Sequence, residues 1–199
     1  MKRFFLLVCV LCLGLCACGS DEPETAPGES PKEIVSEFVR AMYVGDLDGF
    51  FVHIPAFAYD ALIGMEGLEI PEGKTKADVV YDYFAQNMAQ EPEELAAEVT
   101  VETKISTTMK KNDYKKAYME TARTYYVAEG VVSEEVLEKI EDVVFVAFNC
   151  DVTYGNGQTF SLSDFRSVLP CVKLEGKWYV DLLYLVYMPA QEASPVPVQ

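Results

Sequence analysis

Histidine is almost missing from this chain: among 199 residues His53 is the single example. That excludes the two-histidine HExxH zinc helix and every metal centre built on several imidazoles. Basic charge is scarce as well. Sixteen Lys and Arg stand against 32 Asp and Glu, a formal charge of −16. Nucleic-acid binders gain affinity by neutralising phosphates with Lys and Arg, so the balance argues against a nucleic-acid partner. It argues equally against a surface that presses onto anionic headgroups, and an acidic exterior instead gives solubility. The common catalytic motifs are lacking too. There is no GxSxG nucleophile elbow. Gly73-Lys74-Thr75 has the ending of a phosphate loop, but Leu68 stands where the loop requires its first glycine. Asp46 and Asp48 open like a calcium loop, and nothing continues the spacing through a sixth-position glycine. They read better as solvated helix caps. No metal ligand set, cofactor motif or catalytic constellation emerges, and the chain reads as a non-enzyme.

Long hydrophobic runs are also lacking. Phe4 to Ala17 is uncharged and mostly apolar, but it is shorter than the about 20 residues that span a bilayer. With Lys2 and Arg3 before it, the segment has the build of an export signal. It ends Leu15-Cys16-Ala17-Cys18-Gly19. This LCAC resembles the lipobox of bacterial lipoproteins: an aliphatic residue, two small residues and a cysteine. Cys16 departs from the commoner Ala, Ser or Thr. The resemblance implies a diacylglyceryl group on the Cys18 sulfur and cleavage before it by signal peptidase II. The expected partner is then the membrane, reached through the lipid anchor on its extracytoplasmic face. Two or three acyl chains hold stably where one is marginal. Removing residues 1–17 removes two basic and no acidic residues, which leaves 14 basic against 32 acidic.

Four of the six cysteines fall in residues 1–18, so Cys150 and Cys171 alone remain as thiols. Outside the cytoplasm an even pair permits one disulfide; two buried reduced thiols are the alternative. Gly19 to Glu29 is rich in Pro and acid and holds no large apolar residue, so residues 18–29 read as a lipidated Cys and a flexible tether. Pro189 to Gln199 is similar in composition, a Pro-rich tail at 189–199. Residues 30–188 make one domain of ordinary size.

Within it, Ser30, Pro31 and Glu33 form a helix start of the capping-box kind, and Ile34, Val35, Phe38, Val39 and Met42 share one face up to Gly45. A short helix follows from Asp46 to before Pro55. Residues 55–74 read as loop. Thr75 and Asp78 cap a third helix to about Met88. Glu98 to Ile105 alternates as a half-buried strand. Helices are expected over 112–128 and 133–140, then strands over 143–154, 159–162, 168–174 and 177–186. Helices first and antiparallel strands last give an α+β class.

A first helix ending Gly45-Asp46, an aromatic second helix (Gly49-Phe50-Phe51) and a closing Leu174-Glu175-Gly176-Lys177-Trp178-Tyr179-Val180-Asp181-Leu182 hairpin resemble the nuclear transport factor 2-like superfamily. The resemblance implies a cystatin-like cone: N-terminal helices packed on a curved antiparallel sheet. The helices expected at 112–128 and 133–140 depart from it. In similar enzymes, such as ketosteroid isomerases, the cone holds a Tyr donor and an Asp base, roles open to Tyr43 and Asp181, although no position matches that catalytic motif specifically.

Aromatics are plentiful, with 12 Tyr and 11 Phe beside the lone Trp178. Tyr43, Phe50, Phe51, Trp178 and Tyr179 are the candidates for a ligand pocket or for simple core. Asp181 marks its strand face as the wetter one, so Trp178 is expected to point inward. Taken together, the sequence predicts a surface-anchored lipoprotein that acts as a non-catalytic binding or interaction module, for an envelope protein or a small apolar ligand. The alternative is a cone-fold enzyme or carrier for a small hydrophobic ligand.

Overall fold

The computed structural model describes residues 30–87, 95–106 and 111–187. The expected export signal, Cys18 and the expected tether and tail lie outside these residues.

Helix α1 (Pro31–Val44) starts as its sequence requires. The Ser30 hydroxyl accepts from the Glu33 backbone N–H at 3.3 Å, and the Glu33 carboxylate accepts from the Ser30 N–H at 3.3 Å. Gly45 ends it at φ 73°, a left-handed conformation that L side chains resist. The apolar stripe is buried, with Val35 and Val39 fully enclosed. The chain turns at Asp46, whose carboxylate accepts from Gly49 N–H at 3.0 Å and caps α2 (Leu47–Phe51).

Residues 55–74 are not all loop. Ala56–Glu66 is a helix, α3, that buries Phe57, Ala58, Ala61 and Leu62 and stops at Gly67. Its apolar residues run almost without interruption, so no helical stripe stands out among the nearby Gly and Pro. Helix α4 (Lys76–Asn87) follows. There the Asp78 carboxylate accepts from Thr75 N–H at 2.8 Å, and the Thr75 hydroxyl accepts from Asp78 N–H at 3.2 Å.

Strand β1 (Ala96–Ile105) shows its expected alternation: Val99 is buried and Val101 half-buried, while Glu98, Thr100 and Glu102 are exposed. Helix α5 (Lys111–Ala122) continues into one π turn (Arg123–Val127), and α6 is only Glu134–Glu138. The remaining strands are β2 (Ile140–Tyr154), β3 (Thr159–Leu174) and β4 (Lys177–Val180), with α7 (Leu182–Tyr187) after them. The sheet is an antiparallel meander in the order β1-β2-β3-β4, strongly curled, and α1 packs on β1, β2 and β4. The α+β class holds, with α5 and α6 inserted between β1 and β2.

Two strands expected at 159–162 and 168–174 are one. Phe148 faces Ser167 and Cys150 faces Leu162, so Asn149 stands opposite a four-residue bulge, 163–166. Asp164 (φ 69°) and Phe165 (φ 50°) are left-handed there, and the Asn149 side-chain oxygen accepts from Phe165 N–H at 2.6 Å. Such a bulge bends its strand and adds twist. At the other end, the strand expected through Val186 stops at Val180 and becomes helix.

The disulfide is also corrected. Cys150 lies opposite Val101 and Leu162, and Cys171 opposite Val144 and Val180. Val144 and Cys150 are six positions apart on β2. At about 3.3 Å per residue that is roughly 20 Å, beyond the reach of a bridge whose Cα atoms sit about 4.4–6.8 Å apart. The two are separate buried thiols.

Candidate functional site

The five aromatic candidates do not line one pocket. Phe50 stacks on Phe38 at 4.7 Å between ring centres, and Phe51 contacts Phe84 at 5.3 Å, Tyr81 at 5.8 Å and Tyr59 at 6.2 Å. These rings fill the space between α1, α2, α3 and α4. Tyr43 points elsewhere, 6.4 Å from Phe160 on β3. Trp178 and Tyr179 are each half-buried on β4, and the Lys173 ammonium lies 5.9 Å from the Trp178 ring. His53 is buried with Nε2 3.3 Å from the Glu37 carboxylate; burial lowers its pKa and Glu37 works against that.

Asp181 overturns the reading of its strand face. It is not wet: it has 0 % exposure, and it begins α7 rather than continuing β4. Its Oδ1 accepts from Leu183 N–H at 3.0 Å, the bond of a helix N-cap, and the Tyr184 N–H adds a second backbone donor. Its Oδ2 accepts from the Tyr118 hydroxyl at 2.6 Å and the Tyr126 hydroxyl at 2.9 Å. Tyr118 and Tyr126 also have 0 % exposure. Burial pushes the carboxyl pKa up, and the four hydrogen bonds pull it down without cancelling the rise. Both tyrosines are pushed well above their ordinary value, first by burial and then by the Asp181 charge. Burial, with Asp181 nearby, likewise raises the Cys171 thiol. The Tyr184 ring stacks on Tyr118 at 5.6 Å.

The π turn is what brings the two hydroxyls together. Along an α-helix, eight residues leave the second side chain about 80° round from the first. One extra residue taken up in a π turn returns it to within roughly 20°. Tyr118 on α5 and Tyr126 in the π turn therefore share a face. Nothing local in the sequence announces this turn. The usable signal is the other partner, one acid inside Trp178-Tyr179-Val180-Asp181-Leu182-Leu183: a charge in so apolar a run is either at a surface or fully paired. Asp181 takes its hydroxyl donors from Tyr118 and Tyr126, not from Tyr43. Chemically, this cluster can share and hold a proton; its three side chains offer no surface to a substrate.

A second feature is open to solvent. Helix α3 and the segment after the π turn line a groove of about 680 Å³. Phe57, Ala61 and Met65, spaced by four along α3, form one wall, and Val131, Val132 and Val136 belong to the other. Asp60 and Glu129 place an exposed carboxylate on each side. Gly130, at φ 72°, makes the reversal that returns the chain, and Val131 and Val132 N–H both donate to the Tyr126 carbonyl, at 2.8 and 3.2 Å. No signal of this groove existed in the sequence, because α3 itself read as loop.

No family model matches the chain, and neither the curated proteins nor the solved structures include a match.

Proposed function

We propose that this chain is a lipid-anchored extracytoplasmic binding module, held at the cell membrane through Cys18 and acting without catalysis. The carrying observation is the leader: Lys2 and Arg3, an apolar core too short to span, and Leu15-Cys16-Ala17-Cys18 at its end. The acidic tether and the excess of 32 acidic over 16 basic residues support a domain held off an anionic surface rather than lying on it. The curled sheet with α1 packed on it supports a cone-like arrangement of the nuclear transport factor 2-like kind. Binding is favoured over catalysis because the buried carboxylate is engaged on both oxygens by Tyr118, Tyr126 and the start of α7. Among the described residues, the groove beside α3 is one feature open to solvent.

The test is Cys18→Ala. The variant is expected to lose palmitate labelling and to leave the membrane pellet, or to persist unprocessed. A variant still labelled and still sedimenting with membranes would overturn the anchor.

A further inference from the structure

We propose that Asn156, at the tip of the β2–β3 hairpin, is a site of spontaneous modification: it loses its side-chain amide through a ring closed on Gly157. The product is an aspartyl or isoaspartyl residue, and the tip gains a negative charge.

The step balances with water alone. Hydroxide takes the proton of the Gly157 backbone nitrogen, which bonds to the Asn156 Cγ. The Cγ–Nδ2 bond breaks, and Nδ2 takes a proton from water and leaves as ammonia. Water then opens the cyclic imide at either carbonyl. Opening at one leaves the backbone running through the α-carbonyl, the aspartyl form; opening at the other routes it through Cγ, the isoaspartyl form.

The tip is built for this reaction. Residues 155–158 are all exposed, so hydroxide and water reach the reacting atoms. Gly157 carries no Cβ to crowd its nitrogen, and at φ 80° it has nothing within 4 Å of where a Cβ would stand. The Asn156 side chain is already folded back along the chain, since its Oδ1 accepts from the Gln158 N–H at 2.9 Å. That bond lays the side-chain carbonyl beside the intervening peptide. It also draws electrons from Cγ, as a donor aimed at a developing oxyanion does.

One contact works against the step. The Gly157 N–H donates to the Tyr154 carbonyl at 2.9 Å, inside the turn that the Tyr154 N–H closes on the Gln158 carbonyl at 2.8 Å. Ring closure removes that donor. The net worth of one such hydrogen bond corresponds to a rate factor of about ten. An exposed tip opens locally at low cost, so the bond slows the reaction without preventing it.

Asn149 is the internal contrast. It is half-buried, and its Oδ1 takes the Phe165 N–H at 2.6 Å. The residue after it, Cys150, has a Cβ and is enclosed within β2. Asn149 should keep its amide.

The experiment ages the full lipidated chain in detergent micelles at mildly alkaline pH, beside a sample unfolded in urea and an Asn156→Gln variant. Peptide mapping by mass spectrometry, with electron-transfer fragmentation to separate the two acidic products, reads each asparagine. Conversion at Asn156 in the folded chain is expected at a rate within about tenfold of the urea sample. It should rise with pH, with Asn149 intact. In Asn156→Gln the acidic species seen on isoelectric focusing should be lost, because glutamine must close a larger and slower ring. An Asn156 that stays an amide in the folded chain would overturn the proposal. So would conversion of Asn149 as fast as Asn156, which would trace the reaction to unfolded chain rather than to the tip.

Discussion

Among the helices that begin on a side-chain cap, α1 and α7 hold theirs in opposite surroundings. At Ser30 the hydroxyl and the Glu33 carboxylate exchange bonds with backbone at a half-buried edge. At Asp181 the carboxylate caps α7 from a site with no solvent contact, and it is also the acceptor for two tyrosines from another part of the chain. Locally the devices are alike: an oxygen on the residue before the helix takes an orphan N–H. Globally they differ. Ser30 needs only its neighbour, whereas Asp181 needs residues 55 and 63 positions away. A cap at the edge stabilises one helix. A buried cap must be completely satisfied, and by being satisfied it joins α5, the π turn, β4 and α7 into one unit.

This contrast sets an order of expected effects. Asp181→Ala should be the largest, about 3–5 kcal/mol, because it strands buried hydroxyl and backbone donors together. Urea unfolding of the variant checks it, and a loss below about 1 kcal/mol would mean that the cluster is open to water. Next come Tyr118→Phe and Tyr126→Phe, each expected to cost about 1–3 kcal/mol. Since both donate to the same oxygen, their double variant should depart from additivity by at least about 0.5 kcal/mol. Strict additivity in that double-mutant cycle would show the hydroxyls to be independent. Ser30→Ala should be smallest, about 1 kcal/mol, seen as a small shift in the denaturation midpoint. If Ser30→Ala cost as much as Asp181→Ala, the distinction between edge and buried caps would fail.

The same contrast explains what the sequence could show. Features written within a few residues were legible: the Ser30–Glu33 box, the Gly45 stop, the Thr75–Asp78 cap, the alternation of β1. Their causes are local, so a window of sequence contains them. The charge of Asp181 suggests a wet strand face, yet Asp181 is fully buried, so its charge does not separate the two faces; Trp178 packs half-buried against the core. The strand through Val186 failed for the same reason, since Asp181 is a cap and starts a helix. Helix α3 was hidden by continuous apolar composition between Pro55 and Gly67. The separation of Cys150 from Cys171 required the register of β2 on β3, and that register is broken by a bulge that no turn motif marks. Of the five candidate aromatics, Tyr43, Phe50 and Phe51 are buried core, and Trp178 and Tyr179 are half-buried against it.

The most direct test of the account is the pH dependence of stability in the parent protein against Asp181→Asn, which keeps a capping side chain and removes the charge. Burial holds the folded-state pKa of Asp181 above its unfolded value. A group raised in this way gives its stability below the unfolded pKa, about 4, and loses it as pH rises through the folded value. The stability of the parent relative to Asp181→Asn should therefore fall as pH is raised from about 4 towards neutrality. A difference that is flat across that window, or that grows with pH as for an exposed ion-paired carboxylate, would contradict the burial of Asp181 and the clamp built on it.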